Sequence, residues 1–274
     1  FGRREDARVL TDDSPYFGDA KIQSLQKMRD RQASELADVA GAVIHARTFS
    51  SDNPDQLGWG GLRDVMETEG AVTLRGVDHS TIERAREEFA DFHPTLHYWD
   101  IFKAESATIR DVCGPIAQRS LPDGISRLEG VHTSFATAKA VQRFLSEQGI
   151  SPFSTDALCG HLFPARLVVL TFADGRIAAA GFSAMTHNSW SPFAGAAWVG
   201  LIGVAPELRG IGLGKQVDAI CNLAAVEELG ATATIEFVAP DNIPSRAMLE
   251  SCGLRQMEGL SVVMISTSPE RMTR

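Results

Sequence analysis

Apolar residues along this chain recur in two periods, and the switches between them mark its elements. From 21 to about 49 the period is helical. Ile22, Leu25, Met28, Leu36, Val39 and Val43 fall on one stripe of a predicted helix. Residues 50–61, "SSDNPDQLGWGG", are rich in turn formers and are expected to be a loop. Residues 72–77 then read as a strand. Ser80 followed by Glu83 has the form of a capping box, opening a helix to about Phe92 that Pro94 ends. Residues 96–102 read as the next strand, so 70–104 runs strand, helix, strand.

Gly114, Pro115, Pro122, Asp123 and Gly124 punctuate residues 105–124. A connection is expected there, dividing the chain into 1–124 and 125–274. In the second unit "ISRLEGV" (125–131) predicts a strand, 134–148 an amphipathic helix stopped by Gly149, and 155–162 a short helix. "ARLVVLTFADGRIAAAGFSAMTH" predicts a hairpin turning at Asp174 and Gly175. The strand "AAWVGLIGV" leads into "VAPELRGIGLGKQ", after which Val217, Ile220, Cys221 and Ala224 keep a helical period. "TATIEFV" reads as a strand, "DNIPSRAMLESCG" as a helix capped by Asn242, and "SVVMIS" as the last strand. This ending repeats the order of 70–104. The N-terminal α/β unit therefore reads either as a degenerate half-repeat or as a chance recurrence of a common pattern.

Composition narrows the class. A hydrophobic content of 44% fills a globular core. The formal net charge of -9 argues against a nucleic-acid binder. No apolar run is long enough for a membrane helix, and "FGRREDARVL" has no signal-peptide core. Cys113, Cys159, Cys221 and Cys252 form no metal-binding spacing and are expected to be reduced thiols of a cytoplasmic protein.

The glycine-rich run carries the candidate chemistry. A nucleoside-triphosphate loop needs GxxxxGK followed by Ser or Thr. Here Arg209 stands at its first glycine and Gln216 follows Lys215. A dinucleotide fingerprint needs GxGxxG, and Lys215 occupies its third glycine. What remains is a strand, a turn with glycines at 210, 212 and 214, and a helix start. Such a turn aims successive N–H groups into one concavity, to which the helix adds its own free N–H groups. Spacing alone leaves open a glycine turn with no ligand.

Val204, Pro206, Arg209, Gly210, Gly212 and Gly214 are followed at fitting separation by Asn242, Ser245, Leu249, Glu250, Gly253 and Leu254. Together these resemble the two motifs of the GNAT superfamily of N-acetyltransferases, over about 125–266. The resemblance implies an α+β fold with a mixed, mostly antiparallel sheet flanked by helices. It also implies acetyl-CoA as donor and direct transfer of the acetyl group to an amine. Main-chain groups of Ile202, Gly203 and Val204 are then expected along the pantetheine arm. The N–H groups of Arg209, Gly210, Ile211, Gly212, Leu213, Gly214 and Lys215 are expected at the pyrophosphate. Asn242, Ser245 and Arg246 are expected beside the coenzyme.

Two positions depart from the family pattern. Leu249 stands where a tyrosine often protonates the leaving thiolate, and Trp198 where a glutamate often serves as base. Cys252 is the alternative acid. Glu236 and His187 are the catalytic candidates for base, with His161 behind them. Glu236, between Ile235 and Phe237, faces either solvent or the cleft. The aromatic run "FHPTLHYWDIF" is either core or the wall of an acceptor pocket. The partners implied are acetyl-CoA and an unspecified amine, with no metal, in a monomer or homodimer. A non-catalytic acyl-CoA sensor is the alternative.

Overall fold

A computed structural model describes residues 14–44, 47–128 and 133–269. The N-terminal part runs α1 (Ala20–Leu36), β1 (Ala42–Val43), β2 (Phe49–Ser51), α2 (Pro54–Leu57), α3 (Trp59–Glu69), β3 (Ala71–Val77), α4 (His79–Glu88), β4 (Thr95–Glu105) and α5 (Ser106–Ala117). There follow β5 (Ile125–Arg127), α6 (Phe135–Glu147), α7 (Thr155–Leu158), β6 (Ala165–Phe172), β7 (Ile177–Ala184) and β8 (Ala196–Val204). The chain closes with α8 (Leu213–Glu227), β9 (Ala233–Val238), α9 (Ile243–Ser251) and β10 (Arg255–Ser266). All of these strands lie in one sheet, in the order β1-β2-β3-β10-β4-β9-β8-β7-β6-β5.

That order records an exchange. Each half contributes a strand–helix–strand unit, β3-α4-β4 and β9-α9-β10. In each, the second strand leaves its own half and pairs beside the first strand of the other. β10 pairs with β3, β4 pairs with β9, and β4 and β10 lie antiparallel against each other. The flanks match as well. β2 runs parallel to β3 as β8 does to β9, and β1–β2 and β7–β8 are both antiparallel. The repeated order seen in the sequence thus corresponds to a repeated arrangement, with the final strands swapped.

Several expectations are corrected. The first helix ends at Leu36, and Val43 and Phe49 belong to β1 and β2. Residues 50–61 are not one loop. Asn53 Oδ1 accepts from the Gln56 N–H at 3.1 Å and caps α2 ahead of Pro54. The buried Trp59, Leu62 and Met66 then form the core stripe of α3. Asp78 rather than Ser80 caps α4, accepting from the Thr81 N–H at 2.9 Å. Residues 106–117 form α5, whose buried Ile109, Cys113 and Ile116 share a face despite Pro115 near its end. The predicted helix 155–162 stops at Leu158, and β5 covers only the start of "ISRLEGV", whose residues 129–131 lie outside the described residues.

Helices cover both faces. Trp99, Ile101, Trp198 and Ile235 pack under α6, α7 and Phe153 on one side. On the other, α8 buries Val217, Ile220 and Cys221 against β6–β8, and α5 and α9 add Cys113, Leu249 and Cys252. A further cluster beneath α3 and α4 closes the N-terminal part. There the buried Arg29–Glu69 ion pair ties α1 to the end of α3.

Candidate active site

β8 and β9 are paired only at their starts, through Ala196↔Ala233, Ala197↔Thr234 and Trp198↔Ile235. Beyond Trp198, β8 stays with β7 as far as Val204↔Ala179, while β9 stays with β4 as far as Val238↔Asp100. The parallel pair therefore opens into a V. A bulge in β8 helps to turn it. Between Phe182↔Gly200 and Ala180↔Gly203 the register slips by one residue, and Leu201 sits at φ 55°, rare for a residue with a side chain. Gly200 belongs there because a Cβ would come within 2.5 Å of the Trp198 indole.

The glycine turn stands at the open end of the V. A short 3-10 turn at Pro206–Leu208 brings the chain round, and Arg209 Nε donates to the Val204 carbonyl at 3.3 Å. Gly210 and Gly212 lie at φ 77° and 87°. Left-handed residues at alternate positions turn neighbouring N–H groups toward a common point. Nothing lies within 4 Å of where a Cβ would stand at either glycine. Gly212 is the N-cap of α8 and gives it no side-chain cap, so the first N–H groups of the helix have no partner within it. Gly214 packs the helix start onto Val204 and Met248.

The other predicted residues fall as follows. Asn242 caps α9, its Oδ1 accepting from the Ser245 N–H at 3.3 Å. Arg246 is turned to Asp100 and to Gln256, whose Oε1 lies 2.8 Å from Nη2, and stacks over Phe102. Leu249 is buried, and so is Cys252, whose thiol lies 3.7 Å from the Lys215 carbonyl. A hydrogen bond with Cys113 and burial push the Cys252 thiol well up. His161 is exposed beside Asp156 at 3.1 Å.

Glu236 points beneath α8, opposite Ile235 and Phe237. Asn222 Nδ2 donates to its Oε1 at 2.9 Å, and Asp218 lies in the same buried cluster. Burial, then the charge of Asp218, push Glu236 well above the usual carboxylate range, and burial pushes Asp218 up to about 6. A raised carboxylate makes the folded state hold its proton longer than the unfolded one. Its stabilising contribution is fully present below about pH 4 and is lost as pH rises through about 6. Asp30 shifts the same way, so the substitution must be compared with the parent chain. Between pH 4 and 7.5, urea denaturation is expected to show the parent losing about 1–3 kcal/mol more than Asp218→Asn. Parallel pH profiles would remove the buried acid pair from the account.

His187 lies elsewhere, in the connection after β7, where it bridges to Val43. Its Nδ1 meets Ser191 Oγ at 2.9 Å and Asp52 Oδ2 at 3.3 Å, while Nε2 has no partner among the described residues. Burial lowers its pKa and keeps it neutral. It borders a second V. β2 and β3 separate after Ser51↔Leu74, while β3 continues along β10. This V is filled: Gly76 lies against the ring of Phe193, which also packs on His187 at 5.2 Å. After β2 the chain enters α2 with no glycine turn.

Sequence reasoning overlooked Arg47, Arg75 and Phe153, which line the inner face near Trp198 and Phe237. The one available signal was Arg75 itself, a charge in the otherwise uncharged strand "AVTLRGV". Among the described residues no helix is long and apolar enough to span a membrane, and no cluster of potential metal ligands occurs.

A mixed sheet whose β8–β9 parallel pair opens into a V, with a glycine nest between those two strands at a helix start, has the GNAT-type α+β fold. Residues 139–254 match the family model "Acetyltransferase (GNAT) family", and the chain carries a domain of that family. No curated protein matches the chain. Among solved structures, a Drosophila protein is 16% identical, with 92% of this chain and 90% of that one covered and a TM-score of 0.60. A GCN5-related N-acetyltransferase from Kribbella flavida is 16% identical over 90% and 96%, at a TM-score of 0.55. A tandem GNAT protein from the clavulanic acid biosynthesis pathway is 15% identical over 82% and 76%, at 0.50. At these identities the likeness is one of fold. It extends across the N-terminal half as well.

Proposed function

We propose that the protein is an acyl-CoA-dependent N-acetyltransferase that moves the acetyl group of acetyl-CoA to an amine by direct attack. One observation carries this: the nest at 209–215 opens directly onto the unpaired stretch of β8. The residues fit the donor. The bare sides of Gly210 and Gly212 and the uncapped start of α8 suit a diphosphate. The unpaired edge of β8, with Ile202, Gly203 and Val204, suits an amide-bearing arm that pairs as a strand does. Bound there, acetyl-CoA supplies an activated thioester.

The chain's contribution is placement and polarisation. A β8 N–H at the bulge draws electron density from the thioester carbonyl. The amine nitrogen forms the new C–N bond, the C–S bond breaks, the nitrogen loses a proton and the thiolate gains one. Burial, then the charge of Asp218, raise the Glu236 carboxyl, and it is sealed beneath α8, so it is badly placed to accept the proton. His187 is neutral, but it is buried beside the filled second V and away from the β8–β9 cleft, so neither side chain is placed to take the proton, which is left to solvent. Arg209 and Lys215 flank the diphosphate, Asn242 and Ser245 shape the start of α9, and Arg246 braces α9 on β4.

The buried Leu249 and Trp198 favour a second reading, a non-catalytic acyl-CoA sensor, because neither side chain supplies a catalytic acid or base. Release of CoA thiol from acetyl-CoA across a broad amine panel decides between them. Amine-dependent release is expected. Tight acetyl-CoA binding without turnover for any amine would favour the sensor.

A further inference from the structure

Two arginines lie buried on the face covered by α6 and α7. Arg75, in β3, is 3% exposed, and Arg47, just before β2, is 6% exposed. The Arg75 guanidinium stands 5.3 Å from the centre of the Phe237 ring. That of Arg47 stands 5.3 Å from the centre of Phe153, which packs on Trp198 at 5.6 Å. Trp198 is the last β8 residue paired with β9, and Phe237 lies just beyond its partner Ile235. Each guanidinium is thus linked through aromatic rings to the point where the two strands part.

Their charge is not balanced. Arg47 Nη1 donates to the Ser151 carbonyl at 3.1 Å, whereas Nε and Nη1 of Arg75 have no partner among the described residues. Asp52 is the carboxylate whose charge favours Arg75, and it also meets His187. Burial pushes Arg75 down to about 9 and Arg47 down to about 10, so both remain cationic at neutral pH. Among the described residues, two cations face one carboxylate and a neutral histidine, which leaves one positive charge uncompensated there among packed rings. Such a charge is costly unless an anion joins it. A guanidinium fork fits a planar carboxylate in two-point contact, and a single negative charge matches the imbalance better than a phosphate would.

We propose that Arg75 and Arg47 hold the carboxylate of the acceptor, so that the amine acetylated belongs to a small amino acid. The proposal rests on the acyltransferase reading above and narrows its acceptor. Buried donors reject a ligand that lacks their partner far more strongly than apolar contacts do.

The test uses matched triplets on the intact protein: an amino acid, its amide, and the amine without the carboxyl group. Alanine, alaninamide and ethylamine form one set, and phenylalanine, phenylalaninamide and phenethylamine another. Expected is kcat/KM for at least one amino acid about 100-fold or more above its amide. Arg75→Gln should raise the amino acid KM by about 100-fold and leave acetyl-CoA affinity unchanged, with Arg75→Lys in between. Amides or plain amines that react as well as the acids would overturn the carboxylate site and leave the acyltransferase intact. Loss of acetyl-CoA binding in the parent chain would instead sink the underlying reading. Thermal denaturation with CoA present reads acceptor binding without turnover. Stabilisation by an amino acid and not by its amide supports the proposal, and an equal or absent response to both rejects it.

Discussion

Gly212→Glu is expected to weaken acetyl-CoA binding by at least about 100-fold while the protein stays folded. Gly212 lies at φ 87°, so any side chain there is strained by about 1–2 kcal/mol. The space beyond it is open, and nothing within 4 Å would collide with a Cβ. A typical domain survives a loss of that size. The charge does the damage: a carboxylate would enter the nest at the start of α8, where the diphosphate is proposed to sit. Gly212→Ala separates the two effects, because it shares the strain but not the charge. It should bind acetyl-CoA within about 10-fold of the parent. Calorimetric titration measures both, with circular dichroism confirming the fold. Unchanged affinity in Gly212→Glu would place the donor elsewhere.

The second large effect concerns the filled V. Gly76→Ala is expected to destabilise the protein by about 2–4 kcal/mol, through a left-handed backbone and overpacking together. Gly76 lies at φ 66°, and its added Cβ would stand 2.3 Å from Cε2 of Phe193. The ring is buried between the two halves and has little freedom to yield. Phe193→Ala introduced together with Gly76→Ala should recover part of the loss, a non-additivity that reports the contact itself. Urea denaturation of the single and double variants measures it. A Gly76→Ala loss under about 0.5 kcal/mol would mean that Phe193 does not plug the second V.

What the sequence disclosed was local. Asn242 capping α9, and Asp174 with Gly175 turning the hairpin, are written in neighbouring residues and were legible there. So was the glycine nest, since φ above zero selects for glycine. The exchange of β4 and β10 was not legible, because strand pairing across half the chain leaves no local mark. α5 was hidden by Gly114 and Pro115, which read as a break but fall in its last turn. Trp59, Leu62 and Met66 were masked by the glycines around them. Period two placed Glu236 opposite Ile235 and Phe237, yet only the position of α8 reveals which face is sealed. Arg75 was visible as an oddity, and its meaning depended on Arg47 and Phe237 arriving from other elements.

Backbone hydrogen exchange, with and without acetyl-CoA, tests the central claim most directly. The account predicts slowed exchange at the N–H groups of 209–215 and along 199–204, with no change at 71–77. Protection confined to 71–77, or absent from the glycine nest while acetyl-CoA is bound, would contradict it.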